Sequence, residues 1–107
     1  MKFLVITTRK DGVKVDLPPS ELYQAFKSNV DYFVSFQKKG KVISMGGVAG
    51  QHSSYKLFDV ENREELETLI NNAPLRSITN DQIYQIVDFD DVLGQLRSRL
   101  GLTAQKV

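Results

Sequence analysis

Three side chains near the middle of the chain have types that could carry out acid–base chemistry. His52 is the only histidine among the 107 residues, and it lies in a predicted turn beside two serines. An imidazole there can act as an acid, a base or a hydrogen-bond donor near neutral pH. Tyr55 offers a phenol on the following predicted strand, and Asp31 offers a carboxylate on a predicted helix. Asp31, His52 and Tyr55 are therefore our catalytic candidates for a proton transfer.

Each candidate also has an ordinary structural interpretation that the sequence leaves open. His52 can be a solvated turn residue. Asp31 lies at the edge of an apolar helix stripe, where it is either a buried base or a solvent-exposed carboxylate. Tyr55 can simply pair with residues on neighbouring strands, and Tyr84 is a further phenol with the same two interpretations.

The composition argues against several other kinds of chemistry. Fourteen Lys and Arg against 13 Asp and Glu give a formal net charge of +1, whereas general nucleic-acid binders are usually strongly basic. The absence of cysteine excludes disulfides, thiolate metal sites and cysteine nucleophiles. The glycine-rich run at residues 46–50 lacks the spacing of a phosphate-binding loop, and one histidine is a weak basis for a metal site. We therefore expect no metal, no cofactor and no nucleic-acid partner.

The elements that must position the candidates follow one another as strand, helix, strand, strand, helix, strand and an appended helix. This order predicts an α+β, ferredoxin-like βαββαβ fold, in which two helices cover one face of a four-stranded antiparallel sheet. We expect a single domain over residues 1–107. Apolar periodicity and turn residues predict strands at residues 2–8, 41–50, 53–60 and 82–89, and helices at residues 20–39, 62–72 and 90–100.

Local signals set the boundaries of these elements. Ser20 is the predicted N-cap of the first helix and Gly40 its C-terminal stop. Asn62 is the predicted N-cap of the second helix, with Glu65 three residues later. The glycine pair at residues 46–47 predicts a bulge, a bend or a close approach of another group.

The first predicted strand is apolar on both faces, with Phe3 and Val5 on one side and Leu4 and Ile6 on the other. Two helices cover only one face of a sheet. We therefore expect a second copy to cover the other face, giving a homodimer or a larger assembly. No stretch is long and apolar enough to cross a membrane, and the N-terminal run is too short for a signal peptide, so we expect a cytoplasmic protein without a membrane partner.

The region from Asp31 to Leu75 resembles the muconolactone delta-isomerase family, which belongs to the dimeric α/β-barrel proteins. The resemblance is carried, without a gap, by Gly40, Gly50, Tyr55, Phe58, Asp59, Val60, Glu64, Leu66, Leu69, Pro74 and Leu75. It implies a small cytosolic enzyme without a cofactor, assembled from dimers into larger rings. Such an enzyme shifts a C=C bond in an unsaturated lactone during aromatic catabolism, so the implied ligand is a small apolar carbonyl compound.

The sequence departs from the family pattern near the implied site. Gln51 occupies the place where the family has a histidine, and His52 follows one residue later. Residues 44–47 are small or apolar where the family is richer in His, Trp and Arg. Two alternatives to the isomerase therefore stay open: a non-catalytic small-molecule-binding or assembly module of the same fold, and a protein similar to cofactorless monooxygenases.

Overall fold

The computed structural model describes residues 1–102, in which four strands and three helices follow one another in the predicted order. The strands are β1 (Lys2–Arg9), β2 (Val42–Val48), β3 (Ser53–Asp59) and β4 (Thr79–Ile86). The helices are α1 (Pro19–Lys38), α2 (Arg63–Asn71) and α3 (Phe89–Arg99), and a 3₁₀ turn at Arg76–Ile78 leads into β4.

The strands form one antiparallel sheet in the order β2-β3-β1-β4, which confirms the ferredoxin-like α+β fold. Strand β1 lies inside the sheet and is paired along both of its edges. Val5 at its middle lies opposite Lys56 of β3 and Ile83 of β4. The register of β1 therefore determines which residues of β3 and β4 become neighbours.

Helices α1 and α2 cover one face of this sheet, and the hydrophobic core lies between the helices and the sheet. Phe33 of α1 packs edge-to-face against Phe58 of β3, with ring centroids 6.2 Å apart. The Tyr32 hydroxyl donates a hydrogen bond of 2.6 Å to the Leu69 carbonyl and so ties α1 to α2. The buried apolar residues are Phe3, Val5, Phe33, Val42, Phe58, Val60, Leu66, Leu69 and Ile70.

Two of the three predicted helix boundaries are confirmed. The Asn62 side chain accepts a 2.8 Å hydrogen bond from the Glu65 amide, and Gly40 ends α1 with φ +77°. Ser20 is not the N-cap, because α1 begins at Pro19 and its cap is Pro18, two residues before the predicted cap. Proline is well suited to the first helical turn, since its missing N–H has no partner there and its φ is already helical.

The predicted bounds of the last strand are wrong at both ends. Strand β4 begins at Thr79 and ends at Ile86, whereas the sequence predicts residues 82–89. Arg9 lies opposite Thr79 and Thr7 opposite Asp81, so polar residues that the predicted bounds leave outside the strand are part of the sheet. Pairing with the long strand β1 outweighs their weak intrinsic preference for strands.

The second face of the sheet is not covered by α1 or α2. It carries Leu4, Ile6, Leu57 and Tyr84, and we call it the open face. Helix α3 has no buried residue, and its Phe89 is 83% exposed. The apolar groups of the open face and of α3 are therefore left in contact with solvent.

Gly46 is a position where another group approaches the backbone closely. A Cβ atom there would lie 3.1 Å from the Cε1 atom of Tyr55, whereas nothing lies within 4 Å of the same atom at Gly47. The irregularity in the β2 ladder lies elsewhere, between Val42 and Ser44. The glycine pair predicted a bulge, a bend or a close approach of another group, and at Gly46 the structure shows the close approach.

We predict that Gly46→Ala and Gly47→Ala have different effects on the free energy of unfolding. Alanine in place of glycine within a strand gains about 0.5–1 kcal/mol from reduced freedom of the unfolded chain. Gly47→Ala should show this gain, whereas Gly46→Ala should lose it by displacing the Tyr55 ring. Urea unfolding of both variants measures the difference, and equal stabilisation by the two changes would contradict the close approach.

Candidate functional site

The centre of the helix-covered sheet face holds a buried lysine. Lys56 of β3 is 7% exposed, and its Nζ atom lies 4.4 Å from the centroid of the Phe33 ring. Burial lowers the pKa of Lys56, because the ammonium loses its hydration, and the nearby charge of Asp81 opposes this effect without cancelling it. An amine with a lowered pKa is more easily deprotonated and is therefore a possible base.

Lys56 begins a chain of two hydrogen bonds across three strands that ends in an ion pair, which we call the Lys56 relay: Lys56, Thr7, Asp81 and Arg76. The Lys56 Nζ atom donates to Thr7 Oγ1 at 3.2 Å, and Thr7 Oγ1 donates to Asp81 Oδ1 at 2.5 Å. The Asp81 side chain is 8% exposed, and its Oδ2 atom lies 3.6 Å from a guanidinium nitrogen of Arg76. The relay connects a buried amine to a nearly buried carboxylate through one hydroxyl.

Strand register brings these groups together. Thr7 of β1 lies opposite Ser54 of β3 on one side and Asp81 of β4 on the other. Lys56 is two residues after Ser54, so its side chain points to the same face of the sheet. Ser54 Oγ accepts a second, longer hydrogen bond from Lys56 Nζ at 3.4 Å.

Three cavities lie side by side between α1 and the sheet, and Asn29 of α1 lines all of them. The inner cavity, of about 20 Å³, is lined by Lys56, Thr7 and Asp81, and it has room for roughly one water molecule. The Tyr55 cavity holds about 340 Å³ and is also lined by Lys56 and Tyr55. The His52 cavity, of about 300 Å³, includes His52 and Thr7. The two larger cavities are at the lower end of the size range of small-molecule sites.

The structure does not bring the three predicted catalytic residues together. His52 lines the cavity named after it and is exposed at its rim. Tyr55 borders the Tyr55 cavity, but alternation along β3 directs its ring away from Lys56, and its hydroxyl lies 3.1 Å from Ser44 Oγ. Asp31 is exposed and binds Lys27 through a 2.9 Å ion pair on the surface of α1. Their catalytic roles remain predictions.

Sequence reasoning did not identify Lys56 and Asp81 as site residues. A signal for Lys56 was present, because it alternates with Phe58 and Val60 and so shares the apolar face of its strand. Asp81 gave no comparable signal, since the sequence prediction started the last strand one residue later, at Gln82.

The arrangement of acidic and metal-binding side chains and the character of the helices bear on metal binding and on membranes. Among residues 1–102, no group of three or more His, Cys, Asp or Glu side chains is arranged to hold a metal ion. Within the same described range, no helix combines the length and apolar character needed to span a membrane.

Comparisons with known proteins agree on one family. The sequence model of the muconolactone delta-isomerase family matches residues 1–91. A muconolactone Delta-isomerase of Acinetobacter baylyi is 33% identical over 61 residues, which is 57% of this chain and 64% of that protein. A protein of the same name from Rhodococcus opacus is 31% identical over 68 residues, 64% of this chain and 73% of that protein. The aligned part of the chain thus spans roughly two thirds of these curated relatives.

Solved structures show the same fold. A crystal structure of muconolactone isomerase superposes with a TM-score of 0.71 at 24% identity, covering 82% of this chain and 90% of that one. A 5-chloro-2-hydroxyhydroquinone dehydrochlorinase from Burkholderia phenoliruptrix, in complex with 2,5-dihydroxybenzoquinone, superposes with a TM-score of 0.62 at 14% identity. That match covers 81% of this chain and 94% of the other.

We predict that Lys56→Met stabilises the protein at neutral pH and that this advantage shrinks in alkaline solution. The folded pKa of Lys56 is below its ordinary 10.5, so between these two values the unfolded state binds more protons and wild-type stability rises with pH. The wild type therefore regains up to about 1.4 kcal/mol per pH unit relative to the variant within this interval.

Urea unfolding of both proteins from pH 7 to pH 11 measures this effect. Lys14→Met, at an exposed loop position, is the matched control and should show no such trend. If the difference in free energy of unfolding between Lys56→Met and the wild type does not change with pH, the lowered pKa of Lys56 is contradicted.

Proposed function

The chain belongs to the muconolactone delta-isomerase family, and we propose that it is a cofactor-independent isomerase that moves a proton within a small unsaturated lactone or related carbonyl compound. The observation that carries this proposal is the buried Lys56 amine on the wall of the Tyr55 cavity. Shifting a C=C bond next to a carbonyl requires a base that removes an activated proton and then returns it at another carbon.

Lys56 meets the requirements for this base. In its neutral form the Nζ atom accepts a proton from the carbon next to the carbonyl, and the ammonium that results lies beside the Lys56 relay. The Asp81 carboxylate, reached through Thr7, stabilises that positive charge without contacting the substrate. The same ammonium then donates the proton to the far end of the delocalised anion.

The developing enolate oxygen needs a hydrogen-bond donor. Asn29 lines all three cavities, and its Oδ1 atom already accepts a hydrogen bond from the Leu75 amide at 3.2 Å, which leaves the amide NH₂ as the donating group. His52 at the rim of the adjacent cavity is the second candidate for this role. Donors held at a developing oxyanion are a major source of catalysis in such sites.

A second candidate function is a small-molecule-binding module without catalysis. It is favoured by the wall of the Tyr55 cavity formed by Met45, Gly46 and Gly47, which offers space but no polar side chain. Such a module would bind a small apolar carbonyl compound without changing it.

We further propose that the open face binds a second copy of the chain. Four strands about 4.8 Å apart and about 25 Å long present roughly 500 Å², whereas a stable interface buries about 800 Å² on each partner. The exposed apolar residues of α3, including Leu93 and Leu96, would supply additional area. A homodimer that uses both surfaces would remove the exposed apolar groups from water, and such dimers can assemble into larger rings.

We predict that the wild-type protein converts muconolactone to its double-bond isomer and that Lys56→Met lowers kcat by about 10²-fold or more, as expected for loss of a general base. Proton NMR in D₂O follows both the conversion and the uptake of deuterium at the carbon that loses its proton.

Three further variants test the residues chosen from the sequence. Asp31→Asn should keep nearly full activity, because Asp31 is exposed and paired with Lys27. Tyr55→Phe should also change kcat little, whereas His52→Ala should reduce it moderately. Absence of turnover and of deuterium uptake by the wild type at high enzyme concentration would refute the isomerase. Thermal stabilisation by the lactone in that case would favour the binding module.

We predict that Ile6→Glu shifts the protein to a monomer in analytical ultracentrifugation at micromolar concentration. Ile6 lies in the middle of the open face, opposite Tyr55 and Gln82, where a buried charge without a partner is costly. Ser28→Glu on the exposed side of α1 is the control and should leave the assembly intact. A wild type that sediments as a monomer would remove the proposed interface.

A further inference from the structure

Lys56 differs in its partners from Lys27 and Lys41, two lysines that form ion pairs. Lys27 and Lys41 form ion pairs with Asp31 and Glu65, at 2.9 and 2.8 Å, and these pairs raise the pKa of both lysines. Within residues 1–102, no carboxylate lies within ion-pair distance of Lys56, whose hydrogen-bond partners are two hydroxyls. The positive charge of Lys56 is thus the least compensated of the three.

The surroundings of Lys56 make its ammonium easier to deprotonate than that of a solvated lysine. Burial against Phe33 removes water from the Nζ atom, and the pKa of Lys56 is lowered although the aromatic ring and Asp81 favour the charged form. The same side chain lines the Tyr55 cavity of about 340 Å³, most of whose other lining residues are apolar or small. A desolvated amine that loses its proton more readily, next to a ligand cavity, is the arrangement of lysines that attack carbonyl carbons.

We propose that Lys56 is a nucleophile that captures a small aldehyde or ketone from the Tyr55 cavity as an imine. This activity goes beyond the proposed isomerase, in which the same amine only moves a proton and no bond to the substrate forms. The ligand class is a neutral ketone or aldehyde of the size of a five- or six-membered ring.

The proposed step balances without an oxidant or reductant. The Nζ lone pair attacks the carbonyl carbon, the C=O electron pair moves to oxygen, and proton transfer from nitrogen to oxygen gives a carbinolamine. Thr7 Oγ1, 3.2 Å from Nζ, can carry this proton. The hydroxyl group then takes up a second proton and leaves as water, while the nitrogen lone pair forms the C=N bond and the remaining N–H proton is released. The net reaction joins one amine and one carbonyl compound and releases one water.

The experiment uses the wild-type protein with cyclopentanone and sodium cyanoborohydride at pH 7, because the reductant converts an imine into a stable secondary amine. Peptide mapping by mass spectrometry then locates the modified lysines. Lys27 and Lys41 are internal controls in the same sample. We expect Lys56 to be modified about tenfold faster than either, because its lowered pKa leaves a larger fraction of its amine unprotonated at pH 7.

Lys56→Met and Lys56→Arg test whether the selective adduct depends on the primary amine, and both should abolish it while leaving slow surface labelling unchanged. Labelling that is absent at Lys56, or spread over lysines according to exposure, would overturn the proposal. The result is independent of the isomerase assay, because an imine can form with cyclopentanone whether or not muconolactone is turned over.

Discussion

The pairing of β1 along both of its edges is the constraint on which the rest of the molecule depends. This strand joins the β2-β3 hairpin to β4, so its register fixes which side chains meet across three strands. Thr7 comes to lie between Ser54 and Asp81, and Val5 comes to lie beside Lys56. A shift of one residue in either pairing would turn these groups to the opposite face and separate the relay.

The same register places an amine where burial is energetically unfavourable. Lys56 lies among the residues that form the core, and its charge is compensated by the Phe33 ring, two hydroxyls and the more distant Asp81. An apolar side chain would fill this position at lower cost, as is common for buried charges. A costly polar group next to ligand-sized cavities points to function more strongly than to stability.

The two faces of the sheet have different roles in this picture. The helix-covered face holds the core, the relay and the cavities, whereas the open face and α3 carry exposed apolar residues. The Tyr55 ring belongs to the open face, close to Gly46, although its strand also forms a cavity wall. A partner packed on the open face would therefore contact the sheet on the side opposite to Lys56 and would not enter the cavities.

Sequence alone determined the order of elements, the antiparallel sheet with helices on one face, the cap at Asn62 and the stop at Gly40. These features follow from local periodicity and from turn and capping residues, which act over a few neighbouring positions. The N-cap of α1 was placed two residues late, because a proline that begins a helix was interpreted as one that prevents it.

The site was decided by tertiary structure, because it is built from residues far apart in the chain. Thr7 and Asp81 are 74 residues apart, and only the pairing of β1 with β4 makes them neighbours. Asp31 could be placed at the edge of a helix stripe from its spacing, but the side that faces solvent depends on how α1 is rotated against the sheet. Lys56 lay on the apolar face of its strand in the sequence pattern. Its burial and its lowered pKa arise only when α1 covers that face and excludes water from the amine.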